Sequence, residues 1–73
     1  MNWISVEDKR PEEKQSVLVY ARVRDIWDNH YNNIFTASLN ENKWAYDLAF
    51  SAGVIITHWM PLPKPPKGIE NDK

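Results

Sequence analysis

Two arginines and several aromatic residues are the side chains of this sequence best suited to bind a ligand. Arg22 and Arg24 stand two positions apart in a stretch that alternates as a β-strand does, so both should point to one face. Guanidinium groups bind phosphate through paired hydrogen bonds, and a neighbouring aromatic ring can stack on a base. The candidate residues for a small anionic, nucleotide-like ligand are Arg22, Arg24, Trp44, His58 and Trp59.

Each candidate also has a purely structural interpretation. The two arginines are consistent with an edge strand whose charges discourage edge-to-edge pairing. His58 is consistent with a half-buried histidine that is hydrogen-bonded within the sheet. Trp3, Trp44 and Trp59 are consistent with core residues, because a chain of 73 residues needs large apolar side chains to fill its interior.

The segment from Asp25 to Asn33 is polar and asparagine-rich, and it is predicted to form a long loop between two strands. It contains Trp27 and Tyr31. Large aromatic residues in a loop either fold back on the body of the protein or face a partner. We therefore predict that Trp27 and Tyr31 contact another protein.

Catalytic and metal chemistry are not indicated. The sequence has no cysteine, its two glycines (Gly53 and Gly68) do not form a phosphate-binding loop, and no serine stands in a nucleophile elbow. Asp25, Asp28 and His30 are close in sequence, but a loop rich in Asn and Asp produces such a cluster by chance. We predict no catalytic residue, no cofactor and no metal, and therefore no enzyme.

Alternation of apolar residues predicts a mainly β fold, a small twisted antiparallel sheet of about four strands. The clearest strand covers residues 17–24, with Val17, Val19, Ala21 and Val23 on one face and the other face becoming polar near Arg22. The further predicted strands cover residues 34–39, 44–46 and 54–60. Residues 40–43 are predicted to form a hairpin turn, and residues 47–50 are a candidate for one short helical turn that ends at Gly53.

The chain is long enough for one domain, predicted over residues 1–66, with a Pro-rich strap after the last strand and a charged, disordered tail at 67–73. A core this small favours association into a homo-oligomer. The net charge of −1 argues against nucleic acid as a partner. No apolar run approaches the roughly 20 residues that cross a bilayer, and the first residues lack a signal-peptide pattern, so we expect a cytoplasmic location in the host cell.

Several short motifs together carry a family resemblance. They are Trp3-Ile4-Ser5-Val6, Asp8, Arg10-Pro11, Val17-Leu18-Val19-Tyr20, and Thr57-His58-Trp59-Met60-Pro61-Leu62-Pro63 followed by Pro65-Pro66. The chain thereby resembles the DUF551 family, small proteins of unknown function that are common in phages and prophages. It departs from the family pattern in lacking a Leu between Arg10 and Pro11 and in its long central loop.

The resemblance implies a phage or prophage origin and an accessory role, without a reaction or established functional residues. Together with the absence of catalytic motifs, it leads us to expect a non-enzymatic binding module, with counter-defence as the natural example. Such a module would bind a host protein or sequester a small anionic ligand. The alternative is an oligomeric structural or assembly protein with no small ligand. In either case the last strand is expected to be the central partner of the N-terminal segment and of the strand that begins at Val17.

Overall fold

The computed structural model describes residues 2–63 and arranges them as one sheet of five strands, all paired antiparallel. The strands are β1 (Ile4–Ser5), β2 (Val17–Asp25), β3 (His30–Asn40), β4 (Lys43–Ala45) and β5 (Ser51–Pro61). Their spatial order is β1-β5-β2-β3-β4, so β5 contacts both β1 and β2 as expected. The mainly β prediction is confirmed, with five strands in place of about four. The predicted strap beyond Pro63 and the tail at 67–73 lie outside the described residues.

The side chains of β2 alternate between the two faces of the sheet, and their burial shows how the faces differ. On the first, which we call the core face, Val17, Val19, Ala21 and Val23 are at most 2% exposed. On the second, the open face, the side chains pass from half-buried Leu18 and Tyr20 to exposed Arg22 and Arg24. The predicted emergence of this strand toward solvent near Arg22 is therefore confirmed. Half-buried Val6, Trp44 and Leu48, from segments outside the three central strands, pack against the core face.

A β-bulge in β5 decides which of its side chains enter the core. Tyr20 pairs with His58 and Ala21 pairs with Ile56, so Thr57 is an extra residue without a partner in β2. The Thr57 hydroxyl donates a hydrogen bond to the Tyr20 carbonyl oxygen at 3.2 Å. Because the bulge interrupts the alternation once, both Ile56 and Trp59 reach the core face.

Two predictions about the loops are wrong. The segment after Asp25 is a turn of only four residues, because β3 already begins at His30 and pairs with Arg24. Within residues 2–63 there is no helical turn after Asp47: residues 46–48 have no regular secondary structure, and residues 49–50 form a turn that leads into β5. The Phe50 carbonyl accepts a hydrogen bond from the Ile26 backbone N–H at 2.9 Å, and β5 starts directly afterwards, with Gly53 inside the strand.

The predicted hairpin turn at residues 40–43 is confirmed. Glu41 and Asn42 both adopt left-handed backbone conformations, with φ of 52° and 67°, the combination that a two-residue turn between twisted strands requires. A glutamate is not a favoured residue there. The backbone N–H groups of Glu41 and Asn42 donate hydrogen bonds to the Glu13 carboxylate at 2.7 and 3.1 Å. The Arg10 guanidinium donates to the side-chain oxygen of Asn42 at 3.0 Å. The loop between β1 and β2 thus clamps this turn.

Replacing Glu13 with alanine (Glu13→Ala) should destabilise the protein, because it removes both acceptors from the strained turn. We expect a loss of about 1 kcal/mol in the free energy of unfolding, measured by urea denaturation. The matched control is Glu12→Ala, which removes the same charge from an exposed neighbour and should change stability little. Equal effects of the two substitutions would contradict the clamp.

Candidate functional site

Arg22 and Arg24 lie side by side on the open face at the end of the sheet nearest the turn between β2 and β3. Arg22 is flanked by Asn32 of β3 and Ile55 of β5. Arg24 is flanked in the same way, by His30 and Gly53. These residues form two rows across β3, β2 and β5, one centred on Arg22 and one on Arg24. A surface groove of about 790 Å³ is lined by both rows and by Val23, Tyr31 and Val54. We call it the basic groove.

The two arginines of the basic groove differ in their surroundings. An Arg24 guanidinium nitrogen lies 3.7 Å from the Asp28 carboxylate, which also lies 3.3 Å from Nε2 of His30. Asp28 therefore offsets part of the positive charge at that end. Among residues 2–63, Arg22 has no acidic partner within salt-bridge distance. Of the two arginines, Arg22 is thus better able to bind an anion.

An aromatic cluster adjoins the basic groove on the open face. The Trp3 and Tyr20 rings lie 6.0 Å apart between centroids, and Tyr20 meets His58 edge-on at 6.3 Å. His58 is half-buried, and its Nδ1 lies 2.9 Å from the Thr57 hydroxyl oxygen. Tyr20 precedes Arg22 by two residues, so by strand geometry their side chains are neighbours about 7 Å apart along the strand. The structure therefore brings His58 onto the same face as the two arginines.

Trp44 and Trp59, the other candidates for the ligand site, lie on the core face. Trp59 is 6% exposed, and its indole N–H donates to the Lys9 carbonyl oxygen at 2.8 Å. Trp44 pairs with Leu39 near the opposite end of the sheet and packs half-buried against the core. Neither ring is brought to Arg22, because the sheet itself separates the two faces. The interpretation of Trp3 as a core residue is wrong, because its side chain lies on the open face and is 39% exposed.

Trp27 and Tyr31, the candidates for contact with a protein, are both exposed but lie in different settings. Trp27 stands in the turn between β2 and β3, and its ring packs against that of Phe50, with centroids 5.3 Å apart. Tyr31 lies in β3, paired with Val23. The sequence interpretation missed Phe50 and treated His30 only as a potential metal ligand. Had the sequence been interpreted with a turn of four residues after Asp25, His30 would have been predicted to lie opposite Arg24.

The Asp25 carboxylate organises the turn that carries Trp27. It accepts backbone hydrogen bonds from Trp27 and Asn29, both at 2.9 Å, and one from the Asn29 side-chain amide at 3.2 Å. The bond from the Asn29 backbone is the main cause that lowers the pKa of Asp25. Across the described residues, no group of three or more His, Asp or Glu side chains is arranged to hold a metal ion.

This geometry belongs to a small all-β protein with one closed and one open sheet face. Residues 2–63 contain no helix of the length and apolarity needed to cross a membrane. A family model described as "Protein of unknown function (DUF551)" matches residues 2–67. Because the match spans nearly all of the 73 residues, the chain belongs to this family, and the resemblance of its N-terminal and closing motifs is confirmed.

One relative associates the chain with bacteriophages. It is the 7.8 kDa protein of the ral-gp17 intergenic region of Salmonella phage P22. The two sequences are 29% identical over 69 residues, which cover 90% of this chain and 97% of the phage protein. No solved structure matches the chain. The comparisons thus support a phage-associated protein of unknown function.

Asp25→Asn should destabilise the protein in a pH-dependent way. The folded state lowers the pKa of Asp25 below its ordinary 3.8, so the carboxylate contributes stability above that pH and loses it as the pH falls through the folded pKa. In urea denaturation the variant should be less stable than the wild type at pH 7. The difference should shrink as the pH is lowered from about 5 towards 2.

The control for this series is Asp47→Asn, at an exposed carboxylate that accepts no hydrogen bond from the described residues. It should follow the wild type throughout the pH range. A difference between Asp25→Asn and wild type that persists unchanged at acid pH would show that the amide, rather than the charge, matters.

Proposed function

We propose that this chain is a non-enzymatic, phage-associated binding module that holds a small phosphate-bearing ligand, such as a nucleotide, on its open face. The observation that carries the proposal is the basic groove. It combines an Arg22 side chain without an acidic partner in residues 2–63, a second guanidinium at Arg24 and the His30 imidazole. A phosphate group at this position would receive charge-assisted hydrogen bonds from neighbouring strands.

The adjoining aromatic cluster makes a nucleotide a better candidate than inorganic phosphate. Tyr20 offers ring surface two residues from Arg22 on the same strand face, on the scale that separates the phosphate from the base within one nucleotide, and Trp3 packs against Tyr20 on its other side at 6.0 Å between ring centroids. Stacking on an aromatic ring tolerates any base, so affinity would depend on phosphate charge more than on base identity. Binding rather than catalysis is proposed because guanidinium and aromatic groups hold a nucleotide without supplying a nucleophile.

Sequestration of a nucleotide signal inside the host cell would give such a module a counter-defence role. The phage relative supports this context, and a cytoplasmic location is part of the same proposal. No host protein is needed for this form of the mechanism. Binding of a free nucleotide would itself reduce the concentration available to the host.

A second candidate function has its own supporting observation. The open face also exposes Ile34 at 53% and Ile55 at 65%, and two copies could cover these side chains by packing face to face. The protein would then be an oligomeric structural or assembly protein. Sedimentation of the purified chain at micromolar concentration distinguishes the two, since a stable monomer contradicts assembly.

The nucleotide proposal is tested by isothermal titration of the chain with a panel of nucleoside mono-, di- and triphosphates and cyclic nucleotides. We expect binding that weakens by about tenfold or more in Arg22→Gln, because loss of a charge-assisted contact removes at least about 1.4 kcal/mol. The matched control is Lys43→Gln, which removes the same charge at the far end of the sheet and should leave affinity unchanged. A panel without binding, or equal losses in both variants, would refute the proposal.

A further inference from the structure

A single hydroxyl group joins two polar groups at the β-bulge of β5. The Thr57 hydroxyl oxygen lies 3.2 Å from the Tyr20 carbonyl oxygen and 2.9 Å from Nδ1 of His58. A hydroxyl group has one proton to donate, whereas a carbonyl oxygen can only accept. The Thr57 proton is therefore used in the hydrogen bond to Tyr20, because otherwise the two oxygens would face each other with no proton between them.

This arrangement determines which nitrogen of His58 carries the proton. With its own proton on Tyr20, the Thr57 oxygen can only accept from His58, so Nδ1 must be the N–H donor. A neutral imidazole carries a proton on one nitrogen alone, and the hydrogen bond of one nitrogen sets the state of the other. Nε2 of neutral His58 is therefore left with a lone pair and acts as a hydrogen-bond acceptor.

The acceptor nitrogen of His58 is available on the open face. Nε2 has no hydrogen-bond partner among residues 2–63, and no buried side-chain nitrogen or oxygen in that part of the chain lacks a partner. Nε2 is therefore accessible to solvent. The ring itself is half-buried, and it is held by Thr57 and by the Tyr20 ring, which lies edge-on at 6.3 Å. An acceptor that is already fixed in position loses little conformational entropy when a ligand binds to it.

The strand pairing places His58 where the base of the proposed nucleotide would lie. His58 is the direct partner of Tyr20, the residue that offers its ring to the base. Tyr20 in turn stands two residues from Arg22 on the same face of β2. A nucleotide with its phosphate at Arg22 and its base on Tyr20 would thus have one edge of the base next to His58.

Nucleobases differ in what their edges offer to an acceptor. Adenine, cytosine and guanine each carry an exocyclic amino group, which donates hydrogen bonds, whereas thymine has a carbonyl oxygen where cytosine has its amino group. A carbonyl oxygen opposite Nε2 would bring two lone pairs together and leave the histidine nitrogen unpaired. The tautomer of His58 therefore favours a base that carries an amino group.

We propose that Nε2 of His58 accepts a hydrogen bond from the exocyclic amino group of the bound base, so that the open face selects amino-bearing nucleotides. This inference rests on the proposed nucleotide site and adds selection of the base to it. The phosphate contacts of Arg22 still supply most of the affinity. Thr57 is a positioning residue, because it acts on the ligand only through the tautomer of His58.

The first test measures the tautomer itself, without any ligand. Nitrogen-15 chemical shifts distinguish a protonated from an unprotonated ring nitrogen, and at about pH 8 an ordinary histidine is neutral. The chain has two histidines, so the spectrum of His30→Asn assigns the remaining ring signals to His58. We expect a proton on Nδ1 and none on Nε2. A proton on Nε2 would overturn the inference, whatever the protein binds.

Thr57→Val tests the positioning role in the same spectrum. Valine keeps the shape of threonine but has no hydroxyl, so the proton should no longer be confined to Nδ1 of His58. The matched control is Thr36→Val, the same substitution at an exposed threonine of β3, which should leave the His58 signals unchanged. An identical tautomer in Thr57→Val and the wild type would contradict the role of Thr57.

The second test is isothermal titration of the wild-type chain with two pairs of nucleoside triphosphates. Adenosine and purine riboside triphosphates differ only in the amino group, and in uridine triphosphate a carbonyl oxygen replaces the amino group of cytidine triphosphate. We expect the amino-bearing member of a pair to bind about fivefold more tightly, which is the contribution of one neutral hydrogen bond.

His58→Asn removes the acceptor while keeping the contact with Thr57. The asparagine amide can replace Nδ1 as the donor, but it has no atom at the position of Nε2, so the preference for amino-bearing bases should disappear. The matched control is His30→Asn, at the other histidine of the open face. It should weaken all four triphosphates alike and keep the preference. Thermal melting of both variants verifies that they fold.

The outcomes distinguish this inference from the nucleotide site on which it rests. Equal affinity for the two members of each pair would overturn the role of His58 and leave the nucleotide site intact. A preference that persists in His58→Asn would do the same. Absence of binding by all four triphosphates would overturn both proposals. The preference is measured on the wild-type chain, so the inference is still tested if His58→Asn does not fold.

Discussion

The pairing of β2 with β5, with Trp59 buried where the two strands meet, is the interaction on which the rest of the structure depends. Val19 lies between Trp59 and Phe35 in a continuous row across three strands. Truncation of a buried Trp costs about 3–5 kcal/mol in typical proteins, a large share of the about 5–15 kcal/mol that holds a domain together. The same ring ties the loop before β2 to the sheet through the Lys9 carbonyl.

That pairing also determines which side chains share a face of the sheet. Among residues 2–63, half-buried Val6, Trp44 and Leu48 come from segments outside the three central strands and pack against the core face. The open face is left with arginines at one end and aromatic side chains in the middle. The proposed binding groove therefore depends on which face these segments cover as well as on Arg22 and Arg24 themselves.

Much of the fold followed from local patterns in the sequence. The period-two alternation from Val17 to Arg24 predicted both faces of β2, and the asparagines at residues 40–43 predicted a hairpin turn. The two wrong predictions concern segments in which a local backbone preference competed with hydrogen bonds to residues distant in the sequence. Asp47 and the residues after it suggested a helical turn, but Phe50 has a left-handed φ of 61°, and its carbonyl accepts a hydrogen bond from the backbone N–H of Ile26 in the turn between β2 and β3. The asparagines after Asp25 suggested a long loop, but Asn32 and Asn33 pair with β2, and only Asn29 lies in the turn.

For the candidate site, the sequence by itself determined that Arg22 and Arg24 share an exposed strand face, because alternation along one strand is a local property. Only the tertiary structure decided their neighbours. The register of β2 against β3 places His30 beside Arg24, and the bulge at Thr57 turns Ile55 outward beside Arg22 while Trp59 remains in the core. Alternation alone places the adjacent residues His58 and Trp59 on opposite faces. Register and bulges depend on contacts between residues far apart in the chain, so no local pattern could show which of the two shares a face with the arginines, or that Phe50 packs against Trp27.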